Sequence, residues 1–387
     1  MNLHIVEDEK FINGAIDLFE KYSPGNNIFI VNGTSDRLKY VVDRKEVVAF
    51  KLSKIGSVDR ILAIIKNDNI EKIFIHFLTP LKSYLSNKAK EKYQVKIYWI
   101  FYGAELYQML NKDFSYQLHD RKAREVLSLN SVLAGVSAYV REKASFFKFY
   151  FLNKEKPRES ILSFLGIVDY FCFWNYHDYA LLKKHYKTSA KFLYFAHFNS
   201  IDVNSCRGEV IVKQNLKVVL NNSASLSGNH TTLLRRIHEV DKNKRISELI
   251  VPLNYGSQKV LKETTQAGIK LFGSRFNPLL RFLDAESYFK LLGGISVGFF
   301  GARRQEGSGN IIQLIAFGAK VFLRNDNNML KYLKENNFIV FSFEDDFKSS
   351  EDLDPLSTDQ IIHNQSLFTS LFNEEKERSV MKAIIES

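Results

Sequence analysis

Two α/β domains, each a Rossmann-like parallel sheet flanked by helices, are what this 387-residue sequence predicts. Three observations lead there. Short, almost continuous apolar strands alternate with helical stretches, as parallel strands buried on both faces do. The alternation runs through the first half, breaks at a polar, irregular segment over 199–214, and then begins again. The length suits two domains of ordinary size, and apolar and charged fractions of 45% and 25% are those of a globular chain.

In the first half, strands are expected at 2–6, 27–32, 47–51, 71–77, 95–101, 168–173 and 191–195. Helices are expected at 9–21, near 57–66, near 80–90 and at 176–186. The second half repeats the pattern. Strands at 216–221, 247–253, 269–272, 295–300 and 319–323 alternate with helices at 230–240, 257–268, 285–294 and 310–318. The helix at 257–268 is expected to stop at Gly268. The boundaries read as 1–205 for the first domain and 206–365 for the second. A terminal helix over 366–387 is expected to pack back toward the first.

Two cysteines, Cys172 and Cys206, are too few for a disulfide framework and read as reduced core or near-core residues. The amino-terminal MNLHIVEDEKF lacks the basic and apolar regions of a signal peptide. No stretch reaches the ~18 apolar residues of a membrane span. These features predict a cytoplasmic protein. The net charge of +11 favours phosphate-bearing or anionic partners. Zinc-finger spacings, RNA-binding signatures and basic zippers are missing from the sequence, so nucleic acid is not expected as a partner.

Ligands of open parallel sheets bind beyond the carboxyl ends of the strands. Three turns on that edge of the second half carry the polar content. Asn221–His230 offers small polar residues leading into a helix start, with Asn222, Ser223 and His230 as candidates. Free amides and the helix dipole there suit a phosphate, although ordinary capping would use the same residues. Pro252–Ser257 offers Tyr255 as ring face and hydroxyl, and Gly256 for close backbone approach; a plain strand-to-helix turn is the alternative. Gly301–Asn310 contains Arg303, Arg304, Gln305, Glu306, Gly309 and Asn310. Arginine pairs with phosphate oxygens, and Gln or Glu accepts from sugar hydroxyls. The next helix is apolar at 311, 312, 314, 315 and 316, which fixes this turn on the sheet. Convergence of the three turns suits a nucleotide-diphosphate-sugar. No GxGxxG follows the first strand and no Walker A motif occurs, against dinucleotide oxidoreductases and P-loop kinases.

At these places the sequence resembles the bacterial TDP-N-acetylfucosamine:lipid II N-acetylfucosaminyltransferases, the 4-α-L-fucosyltransferase family. The matching pieces are WIFYGAELY (99–107), NNSASLSGNH (221–230), VPLNYGS (251–257) and RQEGSGN (304–310) followed by IIQLIAFGAKVFLRNDN. The resemblance implies a GT-B fold, two Rossmann-like domains facing across a cleft. It also implies transfer of a 4-acetamido-4,6-dideoxyhexose from a dTDP donor to a lipid-diphosphate-linked oligosaccharide, in surface polysaccharide synthesis. The family usually has Gly where this chain has Asn221. Among other differences, its WHIWGADLY has His, Trp and Asp where this chain has Ile100, Tyr102 and Glu105.

The acceptor would then bind the first domain, where His4, His76 and Glu105 stand at strand ends. Glu105 is a candidate base for the acceptor hydroxyl, or else a helix-start glutamate favoured by the dipole. The stretch 141–158 holds six Lys or Arg, two Glu and five aromatic residues, a pattern for an anionic membrane surface or for an amphipathic helix on its own domain. The acidic runs 344–346 and 352–354 read as solvated loop rather than metal ligands, so no metal or other cofactor is expected. Competing readings are a UDP- or GDP-sugar donor, a non-catalytic membrane-surface protein, and a sugar-nucleotide epimerase.

Overall fold

The computed structural model describes residues 1–9, 11–34, 37–121, 123–124, 144, 147–196 and 215–387. The expected linker at 199–214, Cys206, and residues 141–143 and 145–146 of the basic stretch lie outside them. The chain divides into two units. One comprises Met1–Leu106, Leu133–Ser200 and Glu374–Ser387, and the other Tyr107–Val132 and Ile201–Asn373. Residues 107–132 thus group with the second unit, not with a domain ending at 205.

The first unit is built on seven strands: β1 (Asn2–Glu7), β2 (Asn27–Asn32), β3 (Val47–Phe50), β4 (Lys72–His76), β5 (Lys96–Ile100), β6 (Tyr170–Phe173) and β7 (Lys191–Tyr194). Their order is β3-β2-β1-β4-β5-β6-β7, and every pairing is parallel. The second has six: β8 (Lys217–Leu220), β9 (Glu248–Pro252), β10 (Phe276–Leu279), β11 (Val297–Phe300), β12 (Lys320–Leu323) and β13 (Phe341–Ser342). Its order is β10-β9-β8-β11-β12-β13, again all parallel. Both sheets reverse direction of growth beside their first strand, and such a switch point opens a crevice at the carboxyl ends. In the second sheet it lies between β8 and β11, two of the strands whose turns carry the candidate residues.

Burial explains the helices. In His230–Val240, Leu233, Leu234, Ile237 and Val240 fall on one stripe and are buried. In Ser308–Ala316 every residue from Ile311 to Ala316 is buried, so this helix is enclosed and its start is held rigidly. Among the described residues, no helix is long and apolar enough to cross a membrane.

The strand expected at 269–272 is instead the end of the helix Gln258–Phe272, and the strand follows at Phe276–Leu279. Gly268 does not stop the helix. A Cβ there would sit 2.1 Å from the Phe276 ring, so this glycine makes room for the strand that packs beneath it. The stop is Gly273, whose φ of 59° lies in the left-handed region.

The last expected helix is two helices. Thr358–Leu371 belongs to the second unit and Glu374–Glu386 to the first. There Lys72 donates to the carbonyls of Ile384 and Ile385, and Lys21 pairs with Glu377 at 2.7 Å. Lysines at helix-end carbonyls satisfy groups that have no partner within the helix.

Candidate functional site

The three turns of the second unit meet. Asn221 leaves β8 with φ of 57°, in the left-handed region that Gly, and next Asn, occupies at least cost. Its Nδ2 donates to the Gly228 carbonyl at 2.8 Å, and its Oδ1 accepts the Gly301 amide at 2.8 Å. One amide therefore closes its own turn and ties it to the turn after β11. Asn222 follows, and its Nδ2 donates to the Tyr255 hydroxyl at 3.0 Å. Ser223 lies beside that hydroxyl and, after Asn222, favours its ionised form against the burial that raises its pKa. Asn222 meets the third turn as well: a Cβ on Gly307 would lie 2.7 Å from its Oδ1.

Backbone contacts lock the second turn to the first. The Ala224 amide donates to Tyr255 O, and the Ser257 amide donates to Ala224 O, both at 2.9 Å. Gly256 permits this approach. Its φ is 113°, and a Cβ would fall 2.5 Å from Ala224 O. Tyr255 stacks on Phe282 with centroids 6.0 Å apart, and both rings are exposed.

In the third turn Ser227 donates to Glu306, and Arg304 pairs with the same Glu306 oxygen at 3.0 Å. Gly307 precedes the helix Ser308–Ala316, which has no side-chain cap. Around Gly309 there is open space. A helix start with uncapped amides, one arginine and one carboxylate offers hydrogen-bond donors for phosphate and an acceptor for a hydroxyl.

Other expected residues are engaged elsewhere. His230 is buried, with Nε2 2.9 Å from Ser223 O. Burial lowers its pKa to about 4, against the raising effect of that carbonyl, so it is neutral and braces the turn. Gln305 is buried and donates to Ser308 Oγ at 2.8 Å. Asn310 lies beside the Tyr288 hydroxyl and favours its ionised form, against the burial that raises its pKa.

Arg303 pairs with Asp120 at 2.6 Å and with Asp326. Arg324, directly after β12, pairs with Asp120 at 2.8 Å and with Glu344. Burial alone would raise the Asp120 pKa, but the guanidinium bonds from Arg324 and Arg303 outweigh it and hold it down at about 2.

The sequence reading missed Asp120, Arg324 and Asn229. Asn229 donates to the carbonyls of Leu118, Ser227 and Gly301 and accepts the Asp120 amide. The strand-end rule that flagged Arg303 applies equally to Arg324, whereas 115–121 carries no periodic signal.

The acidic side chains of both runs are exposed or half-exposed, as in a solvated loop, and they are also engaged by neighbours. Asn325 donates to Asp345, Asp346 accepts the Ser342 amide at 2.7 Å, Asp352 caps Ser349, and Asp354 pairs with Arg245. Among the described residues no group of His, Cys, Asp or Glu is arranged to hold a metal ion.

In the first unit His4 Nδ1 lies 3.1 Å from His76 Nε2, and His76 Nδ1 lies 3.2 Å from the Tyr102 hydroxyl. His4 is sandwiched between Phe29 and Phe74, and burial lowers its pKa to about 3. Lys82 is buried against Glu7 at 3.0 Å and the His76 carbonyl at 2.6 Å. Glu105 is 4% exposed, and its Oε1 accepts from Leu78 N, Trp99 Nε1 and Tyr102 N at 3.2–3.4 Å. Burial raises its pKa to about 7 against those hydrogen bonds. Within 141–158, Phe147, Tyr150, Phe151 and Leu152 are exposed.

The family model described as 4-alpha-L-fucosyltransferase, glycosyl transferase group 56, matches residues 168–376, more than half of the chain. Anabaena HepE in complex with UDP is similar over 100% of this chain and 99% of its own, at 11% identity and TM-score 0.62. WaaG, a glycosyltransferase involved in lipopolysaccharide biosynthesis, is similar over 100% and 99%, at 9% and 0.57. An E. coli trehalose-6-phosphate protein bound with UDP-2-fluoro glucose is similar over 100% and 98%, at 9% and 0.59. The fold, two parallel-sheet α/β units, is thus GT-B-like.

Proposed function

The chain belongs to the 4-alpha-L-fucosyltransferase family, glycosyl transferase group 56, and is a glycosyltransferase; from that footing we propose that its second unit holds a dTDP-linked 4-acetamido-4,6-dideoxyhexose and gives the sugar to a lipid-diphosphate-linked glycan. The observation that carries the donor reading is Asn222. It bonds Tyr255 and abuts Gly307, and so joins all three turns at one point beside the switch. The diphosphate lies at the amides of Ser308–Asn310, with Arg304 meeting the charge that departs. Glu306 accepts from a sugar hydroxyl. Helix amides and arginine do this work without a metal.

Two neighbours carry UDP or a UDP-sugar, which makes UDP the competing nucleotide. Calorimetry with dTDP, UDP and GDP decides between them. Tightest binding of dTDP is expected; tighter UDP would replace the donor, and binding of none would remove the donor site. A product assay without acceptor separates transfer from epimerisation, which needs no acceptor.

The acceptor reading adds a membrane surface. Exposed Phe147, Tyr150 and Phe151 beside Lys148 and Lys154 suit anionic headgroups, each basic residue contributing on the order of 1 kcal/mol. Sedimentation with phosphatidylglycerol vesicles, but not with phosphatidylcholine vesicles, is the expected outcome. Equal recovery with both would remove the membrane role.

A further inference from the structure

A short strap lies over the donor turns. Leu118 O accepts from Asn229 Nδ2 at 3.2 Å, His119 Nδ1 is 3.1 Å from Leu226 O, and the Asp120 amide donates to Asn229 Oδ1 at 2.8 Å. The Asp120 carboxylate is clamped by Arg303 and Arg324. Five anchors in three residues fix where the His119 ring can point.

That ring has a defined tautomer. A carbonyl only accepts, so the proton facing Leu226 O must reside on Nδ1. Nε2 then carries a lone pair, and it has no hydrogen-bond partner among the described residues. Among the described residues, the charged groups that act on the imidazole are Asp120 on its own segment and Arg304 and Glu306 from the turn after β11. The Leu226–Asn229 turn brings no charged side chain. His119 is therefore within electrostatic range of the arginine and glutamate assigned to the diphosphate and the sugar.

We propose that His119 is a further donor-site residue, whose Nε2 hydrogen-bonds the diphosphate of the nucleotide-sugar and takes up one proton from solvent as it does so. The inference rests on the donor reading above. Its logic is the tautomer: with Nδ1–H committed to Leu226, Nε2 can donate to a phosphate oxygen only in the imidazolium form. Burial first, and Arg304 second, lower the pKa of the free ring, against Leu226 O, Asp120 and Glu306. Bound phosphate charge reverses that balance, so the ring is neutral when the site is empty and cationic when it is filled. No other atom or electron changes hands.

The test measures dTDP, UDP and GDP binding calorimetrically at about pH 5.5 and about pH 8, for the wild type and for H119Q and H119N. The phosphate's own titration is common to all three proteins and cancels in the comparison. With the nucleotide that binds best, the wild type is expected to gain about tenfold more affinity on acidification than either variant, a charge-assisted hydrogen bond's worth. The same titrations in buffers of different ionisation heat are expected to show proton uptake that the variants lose. Thermal melts check that the variants fold. Equal affinities and proton uptake in wild type and variants would overturn the role of His119 while leaving the donor site standing, even if transfer fell. Failure of every nucleotide to bind the wild type would overturn both.

Discussion

Asn221 Oδ1 accepts the Gly301 amide at 2.8 Å, and this bond joins the turns after β8 and β11 across the switch of the second sheet. The same side chain closes its own turn on Gly228 from a left-handed backbone. A glycine would supply that backbone but not the amide. Asn221→Gly is expected to cost about 1–2 kcal/mol through the lost hydrogen bonds. Asn221→Ala adds left-handed strain of roughly 1–2 kcal/mol and melts lower still. Denaturant titration of the two variants checks the order; the reverse order would deny the backbone argument.

Gly256→Ala combines a φ of 113° with a Cβ 2.5 Å from Ala224 O. The turns must separate or the backbone must twist. A loss of about 1–3 kcal/mol is expected, together with weaker nucleotide binding, because Tyr255 moves away from Asn222. An unchanged melting temperature and unchanged affinity would refute the locking of the two turns.

The two arginines of the third turn should behave differently. Arg304→Ala and Glu306→Ala are expected to cut transfer by about a hundredfold or more with little change in melting temperature. Arg303→Ala, which unties Asp120 and Asp326, is expected mainly to lower the melting temperature. Measuring both quantities for all three variants tests the division, and an Arg303→Ala protein of normal stability without nucleotide affinity would reverse it.

Asp120 gives a pH signature. Its folded pKa of about 2 lies below the ordinary 3.8, so the native state binds fewer protons than the unfolded state between those values. The stability it contributes is present above the unfolded value and is lost as pH falls through the folded one. Asp120→Asn should flatten the melting curve over about pH 4 to 2, and should destabilise the protein at neutral pH by about 1–3 kcal/mol. A wild-type slope retained in the variant would assign the effect to other carboxylates.

Glu105 runs the other way. Burial pushes its carboxyl up to about 7 in the folded state, against 4.5 for an ordinary glutamate, so the native state binds more protons between these values. Stability from this group therefore falls as pH rises from about 4.5 to about 7. Glu105→Gln is expected to remove that slope and to be relatively more stable at pH 8. The same variant tests the base role: retained transfer assigns Glu105 to holding Trp99, Tyr102 and the helix start, and lost transfer with an intact fold assigns it to chemistry.

Element order, parallel character and the polar strand ends were legible in the sequence because periodicity and turn chemistry are local. Asn222, Tyr255 and Glu306 were visible as members of three separate turns for the same reason. One local reading failed where a contact overrode it: Gly268 looks like a helix stop until Phe276 is seen packed on it. Strand order is a pairing between segments far apart in sequence, and only the tertiary structure placed β8 beside β11 and so brought Asn221 to Gly301. It also decided which charges are spent on one another. Arg303 and Arg304 are neighbours in sequence, yet one pairs with Asp120, nearly two hundred positions away, while the other pairs with Glu306 in its own turn, a carboxylate that also accepts from Ser227.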